Sequence, residues 1–568
     1  MSDFRKQAAT SAAILAALPS WQSVCQRQPD LDPQTLDAIL EEAARFAEAE
    51  LAPLNAQGDR IGAQLASGRV AMPAGFGEAY KALAEQGWLG LDITSTLGGQ
   101  DLPLTLHTAT QSLFDRGCTA LLMAVGASRS AAHLLAEHAD EETKADWIPK
   151  LCAGEWSATI CISEPDAGSD VGRIRTKAVQ NGDQWQVTGE KIWISFGDHD
   201  MADRIGHCLL ARTGDVPGTR GLSLFLVPST TSDGRTNGIT VNRLEEKLGM
   251  HASPTCALSF QDAEAILVGS EGRGLSCLFT MMEMMRLQTG AQGLGLALGA
   301  EDIANGYTTE RRQGGVPDQP APTIDRHADV RRQLLDIGSR NAVLHMAVLD
   351  LSATMDLARL NEDQAECGRL SAYASWMLPL IKTFGAEGAF DSANGAIQLL
   401  GGAGYTQEWP VEQILRDARV LAIYEGTTGM QAQDFLFRRT LKEQGQGTDV
   451  FLEACRKQIE HMPTGAVETA SLRAVMDGFL DLTQYLSNIS QSTFRATEFA
   501  AEPYLRAGWS AVSALMAARL SQMTGRSDLA ALGSYRLLQL PSELKRHAGN
   551  CSSSCPNLDD LFDTAFQR

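Results

Sequence analysis

The chain has 568 residues, more than one hydrophobic core accommodates, so several domains are expected. Its composition, 44% hydrophobic and 21% charged, is that of a globular protein rather than a disordered one. A net charge of −21 argues against a nucleic-acid groove or an anionic membrane surface, and leaves any anionic ligand to local basic residues.

The N-terminus sets Arg5 and Lys6 before AATSAAILAALPS, which imitates a signal peptide. Its apolar core is short and alanine-rich, so an amphipathic helix packed on the body is expected instead. No run reaches the roughly eighteen uninterrupted apolar residues of a membrane span, so no integral membrane contact is expected. Within residues 34–51, Leu36, Ile39, Leu40, Ala43, Phe46, Ala47 and Leu51 fall on one helical face. FGEAYKALAEQGWLGL and LTLHTATQSLFDRG continue in that style. The reading is an N-terminal helical extension over 1–34 and a helical domain over 35–154.

After AGEWSATICIS the pattern changes. GDQWQVTGEKIWISFG, HCLLAR, LSLFLVP, ITVNRLEEK and TCALSF are short and rich in β-branched and aromatic residues. Turn formers separate them, including Asn181-Gly182 and Asp233-Gly234. They predict a β domain over 155–272. LFTMMEMMRLQTGAQGLGLALG returns the chain to helix, giving a helical domain over 273–443. KEQGQGTD, residues 442–449, reads as a linker. Beyond it Leu472, Val475, Met476, Phe479 and Leu486 lie at helical spacing, and WSAVSALMAARL follows. A C-terminal helical extension over 449–568 is expected, its apolar stripe packed on the chain's own body, stabilising without catalysing.

The eleven cysteines include no CxxC pair and no cluster of zinc spacing; Cys551 and Cys555 in CSSSC come nearest. No metal site is expected, and scattered thiols suit a reducing cytoplasm. LAIYEGTTGMQAQ is different in kind: Glu425 ends an apolar run and Gly426 follows it. Those residues alone read first as an ordinary acid at the end of an element. They also suit a carboxylate held in a poorly hydrated place where backbone must come close to a ligand.

Four stretches in order, CISEPDAGSD, EKIWISFG, QLLGGAGYTQEW and AIYEGTTGMQ, resemble the acyl-CoA dehydrogenase family over residues 35–442. EEAARFAEAELAPLNAQGDR and FTMMEMMRLQTGAQGLG resemble its long bacterial branch, which carries a C-terminal extension. The resemblance implies a mainly α fold with a central β domain: a helical domain, a β-barrel and a four-helix bundle, here with the helical extension added. It implies FAD as cofactor and removal of an alpha proton and a beta hydride from an acyl-CoA thioester, giving the enoyl-CoA. Glu425 matches the family's base, whose task calls for a pKa raised toward about 6 to 7. Its backbone N–H, with a flavin hydroxyl, is expected to grip the thioester oxygen, and Gly426 to leave room for substrate. Thr427, counted with the flavin-site residues, or Thr428 is expected to cap a helix beginning near Gly429.

By the same resemblance Ser163, beside Ile162, meets the flavin ring, and Ser195, beside Ile194, faces its reactive nitrogen. Trp193 matches an aromatic stacked on the flavin, although a strand tryptophan is otherwise a core residue. Ser169 matches a contact to the CoA arm, and Glu283 and Arg286 match residues near the CoA. Arg286 also reads as a plain helix-surface charge. Gln398, Gly401 and Gly402 match the contact to the FAD diphosphate and adenosine end, often from a neighbouring subunit; alone they read as a helix C-cap. Arg311 and Gln313 match residues for the same end, so a homodimer is expected. Three departures stand out. Met285 occupies the place where some members carry a base. GGVPDQPAPTIDRH is longer than the usual link, and Gly429 stands where many members have glutamine. A short acyl or thioether acyl substrate and an electron-transfer flavoprotein partner are expected. An oxidase that passes electrons to oxygen, and a non-enzymatic CoA- or flavin-binding regulator, are the rival readings.

Overall fold

The computed structural model describes residues 3–490, 494–552 and 558–567; Cys555 lies outside them. The chain divides into two compact units, one of Ile39–Leu296 with Gln413–Val420, the other of Met1–Ala38, Ala297–Glu412 and Leu421–Arg568. Element order is helical, β, helical and helical again, as expected.

In the first unit a hairpin, β1 (Gln64–Ala66) and β2 (Arg69–Ala71), precedes the main sheet. Seven strands follow: β3 (Trp156–Cys161), β4 (Lys177–Asn181), β5 (Gln184–Ser195), β6 (Arg204–Arg212), β7 (Leu222–Pro228), β8 (Ile239–Leu244) and β9 (Thr255–Val268). Pairings β6–β4, β4–β5, β5–β9, β9–β7 and β7–β6 close a circuit, so the sheet is a barrel, with β3 attached to β6 and β8 to β9. The β4–β5 hairpin turns at Gly182, whose φ of +65° favours glycine.

Period-2 geometry explains the composition of β6 and β7. Leu209, Ala211, Phe225 and Val227 join the barrel core. Their alternates Cys208, Leu210, Leu224 and Leu226 join a second cluster, with Leu134, Leu135, Trp147 and Met285 from helices. Both faces are buried, which is why these strands read as continuous apolar runs rather than alternating ones. Among the described residues one helix, Leu104–His138, is long and apolar enough to cross a membrane, but 94% of its apolar window is buried inside the protein. Its dihedrals leave the helical region at Cys118, so two helices run end to end.

In the second unit the N-terminal helix Phe4–Ala17 buries Phe4, Ala8, Ile14 and Leu15, as the amphipathic reading required. Ser11 Oγ lies 2.8 Å from His345 Nε2 on helix Ala328–Leu360. The apolar stripe of the C-terminal extension is buried throughout: Leu472, Val475, Met476, Phe479 and Leu486 are at most 8% exposed. It packs on its own body. Trp376 of helix Gln364–Leu400 meets Phe451 and Phe479 of the extension, with ring centroids 5.2 and 6.2 Å away.

The polar run 442–449 is not a linker. An irregular helix, Asp434–Lys442, is followed by helix Gln446–His461, leaving only three residues of turn. Its glycines have packing duties instead. A Cβ on Gly447 would stand 2.4 Å from Trp376 Cβ, and Gly445 takes φ +74° to start the helix.

Candidate active site

In the first unit, the residues matched to a flavin ring are assembled around a buried ion pair. Lys191, on β5, is fully buried and donates to Glu164 Oε1 at 2.8 Å and to the Ile162 carbonyl at 2.9 Å. Glu164 also accepts the backbone N–H groups of Arg175 and Thr176, at 2.6 and 3.1 Å. Burial pushes the Glu164 pKa up, but the Lys191 charge and these hydrogen bonds outweigh it and hold the carboxyl below its ordinary range. Burial draws the Lys191 pKa down. The Ser163 carbonyl accepts Ile192 N–H at 2.9 Å, so the segment after β3 is fastened to β5.

Trp193 follows next on β5. The register of β5 against β9 shifts between Lys191 and Ile194, and Trp193 takes φ +63° within the bulge. Ile194 remains in the barrel core while Trp193 is 59% exposed. A core role for this tryptophan is therefore excluded. Ser163 and Ser195 are half-buried, and the Ser195 carbonyl accepts Thr159 Oγ1 at 2.6 Å. A large exposed indole near two accessible hydroxyls suits a planar, polar-edged ligand.

Ser169 is exposed on the loop beyond Glu164. Glu283, half-buried, and Arg286, only 8% exposed, lie on helix Gly274–Glu310; Arg286 is not a helix-surface charge. Met285 belongs to the apolar cluster against which Ile162 packs.

In the second unit, Glu425 sits on a turn of unusual backbone. Glu425 has φ +54° and Gly426 φ +91°, two consecutive left-handed residues. For glutamate that conformation costs about 1–2 kcal/mol, a cost met mostly at sites that need it. Lys382, fully buried on helix Gln364–Leu400, donates to the Gly426 carbonyl at 2.7 Å. Gln431, also fully buried, donates through Nε2 to the carbonyls of Glu425 and Gly426 at 3.0 and 3.3 Å. Neither residue is marked out in the sequence. A lone lysine inside MLPLIKTFGAEG carries no distinguishing signal, and Gln431 is an ordinary polar residue of a short helix.

Glu425 is half-buried. Of the run before it Leu421 is buried, while Ile423 is 51% exposed. The helix begins at Thr428, and Thr427 holds the N-cap position without a side-chain capping bond. Thr428 Oγ1 instead donates to Glu387 Oε1 at 3.0 Å, so neither threonine caps.

Gln398, Gly401 and Gly402 are exposed at the end of helix Gln364–Leu400. Gly401 has φ +62°, and a Cβ added at either glycine would meet nothing within 4 Å. Tyr307 packs edge-on against Trp409 at 5.2 Å, which brings the end of the Gly274–Glu310 helix to the segment beyond these glycines. Arg311 and Gln313 follow that helix, both exposed and joined by a 3.2 Å hydrogen bond. The long link closes on itself: Gln313 N–H donates to the Pro322 carbonyl at 3.0 Å and Ile324 N–H to the Arg311 carbonyl at 2.8 Å. Open glycines and an exposed arginine in so acidic a chain fit a diphosphate. In the first unit, by themselves, Trp193, Ser163 and Ser195 suit the ring of a flavin. Among the described residues no cluster of three or more His, Cys, Asp or Glu side chains is arranged to hold a metal.

Three family models match the chain: the acyl-CoA dehydrogenase N-terminal domain over residues 33–155, the middle domain over 159–263 and the C-terminal domain over 272–438. The chain is 36% identical over 450 residues to 3-methylmercaptopropionyl-CoA dehydrogenase of Ruegeria pomeroyi, across 77% of this chain and 76% of that protein. It is 34% identical over 438 residues to a broad-specificity linear acyl-CoA dehydrogenase of Mycobacterium tuberculosis, across 73% and 71%. The structure of an acyl-CoA dehydrogenase complexed with FAD from Bacillus anthracis aligns with TM-score 0.77 over 94% of this chain and 91% of that one. At 20% identity that likeness shows the fold, and its coverage takes in the C-terminal extension.

Proposed function

The chain belongs to the acyl-CoA dehydrogenase family, and from that premise we propose that it oxidises a short acyl-CoA or thioether acyl-CoA to the enoyl-CoA, with Glu425 as base. The family uses FAD; in the first unit Trp193, Ser163 and Ser195 suit its ring, and in the second Gly401, Gly402 and Arg311 suit its diphosphate, each supporting FAD here. When bound, FAD supplies the acceptor for the hydride from the beta carbon.

The chain's own residues do the rest. The Glu425 carboxylate takes the alpha proton, and its backbone N–H holds the thioester oxygen as negative charge gathers there. Gly426 leaves space beside the reacting carbons. Ser163, beside Ile162, and Ser195 orient the flavin ring and Trp193 covers one face; Ile194, in the barrel core, serves this site through its backbone. Thr427 completes the flavin contacts. Arg311, Gln313 and Gln398 hold the diphosphate and adenosine end. Ser169, Glu283 and Arg286 hold the CoA moiety. The single observation that carries the reading is that the left-handed turn at Glu425 is held from inside the protein by two fully buried side chains, Lys382 and Gln431.

3-Methylmercaptopropionyl-CoA is the proposed substrate, supported by the name of the Ruegeria relative. Electron-transfer flavoprotein is the proposed acceptor and the cytoplasm the proposed location; the ten described cysteines are all free thiols. A panel of acyl-CoAs with a dye or flavoprotein acceptor tests the substrate. Highest kcat/KM on short and thioether chains is expected, and preference for long chains contradicts it. Stoichiometric hydrogen peroxide during turnover in air identifies an oxidase instead.

A further inference from the structure

The turn that carries Glu425 does not hold itself. Two successive left-handed residues turn the carbonyls of Glu425 and Gly426 away from any regular ladder, and buried carbonyls need donors. Lys382 Nζ supplies one at 2.7 Å and Gln431 Nε2 another at 3.0 and 3.3 Å. Lys382 is 0% exposed, an unusual place for a lysine. Its donation to Gly426 gives that burial a purpose. Its Nζ also stands 5.9 Å from the ring centroid of Tyr424, immediately before the base.

A second hold reaches the other side of the turn. Thr428 Oγ1 donates to Glu387 Oε1 at 3.0 Å, and Arg506 Nη1 donates to Glu387 Oε2 at 3.0 Å. Arg506 belongs to helix Phe494–Ser521 of the C-terminal extension, where Glu502 also pairs with it at 2.5 Å. The extension therefore reaches Thr428, at the start of the helix after the turn, through one bridging carboxylate.

We propose that Lys382 is a positioning residue that locks the Glu425 turn in its left-handed form, and that Arg506 backs the same turn through Glu387. The inference rests on Glu425 being the base, but its physical content is the order of the turn. Lys382 keeps the carboxylate where the alpha proton is taken and does not itself exchange a proton with substrate. The extension has a part in catalysis as well as in stability.

The test uses FAD-loaded full-length protein and reads two quantities: steady-state kinetics, and amide hydrogen exchange of the peptide spanning 421–433. Lys382→Met keeps length and volume but donates nothing. It should lower kcat by about 30-fold or more with KM changed less than about threefold, and speed exchange of that peptide about tenfold while distant peptides stay unchanged. Lys382→Arg, which restores a donor, should recover part of both. Arg506→Gln should move both quantities the same way by a smaller factor, about three- to tenfold. If Lys382→Met leaves kcat and peptide exchange within about twofold of wild type, the lock does not exist. If it instead accelerates exchange throughout the protein, Lys382 is a general stabiliser and the positioning role is wrong. Unchanged peptide exchange in Arg506→Gln overturns the role of the extension. Should Glu425→Gln keep full turnover, the base assignment fails, whereas the exchange measurement on Lys382→Met still judges the lock.

Discussion

His345 shows how a single buried group ties pH to stability. It is 1% exposed, its Nε2 lies 2.8 Å from Ser11 Oγ, and burial pushes its pKa down to about 3. The native imidazole therefore stays neutral as pH falls, while the unfolded one takes a proton near pH 6.5. Its contribution is complete at pH 7 and shrinks as pH drops toward 3. By pH 5 this group alone favours unfolding by about 2 kcal/mol relative to pH 7. His345→Gln can still hydrogen-bond Ser11 but does not titrate. The difference in melting temperature between wild type and His345→Gln should thus narrow from pH 7 to pH 5. A difference that is constant or widens contradicts the burial argument. The same scale separates what sequence can and cannot disclose. Glu425, Trp193 and Gly401 stand in motifs whose residue types are themselves informative. Lys382 is not legible, because only the burial of its whole side chain distinguishes it from a solvated helix lysine. Arg286 reads two ways for the same reason, and its burial removes the helix-surface reading.

At the level of elements, periodicity works where one pattern has one cause. The face from Leu36 to Leu51 and the stripe from Leu472 to Leu486 are buried as their spacing requires, with Ile39 half-buried. Composition fails where glycine has two causes. KEQGQGTD resembles a linker, yet Gly447 is there because helix Gln446–His461 passes against Trp376. Gly447→Ala should lower the melting temperature clearly, since the added methyl meets Trp376 Cβ at 2.4 Å and the two backbones must part. An unchanged melting temperature contradicts that packing. Ending the chain at residue 445 removes Phe451 and Phe479 from around Trp376 and uncovers that core. Burial of each such ring contributes on the order of 2–3 kcal/mol before entropy costs. The shortened protein should aggregate or retain FAD weakly. If it stays monodisperse with an unchanged melting temperature, the extension does not share the core.

For the whole molecule, about one FAD per chain is expected, because the acyl-CoA dehydrogenase family to which the chain belongs uses FAD. Tyr405 is 88% exposed three residues beyond Gly402, as suits a face covered by a second copy. A homodimer is therefore expected, with light scattering at twice the 61.1 kDa chain mass. A stable, FAD-loaded monomer contradicts it. In the proposed reaction Glu425 takes the alpha proton of an acyl-CoA. The most direct measurement mixes the yellow, FAD-loaded protein with 3-methylmercaptopropionyl-CoA and butyryl-CoA in the absence of oxygen, and follows loss of flavin absorbance in wild type and Glu425→Gln. Rapid bleaching is expected in wild type, and in the variant a slowing of several orders of magnitude with substrate binding retained. Bleaching of the variant at more than a few per cent of the wild-type rate, or no bleaching of wild type by any acyl-CoA, contradicts it.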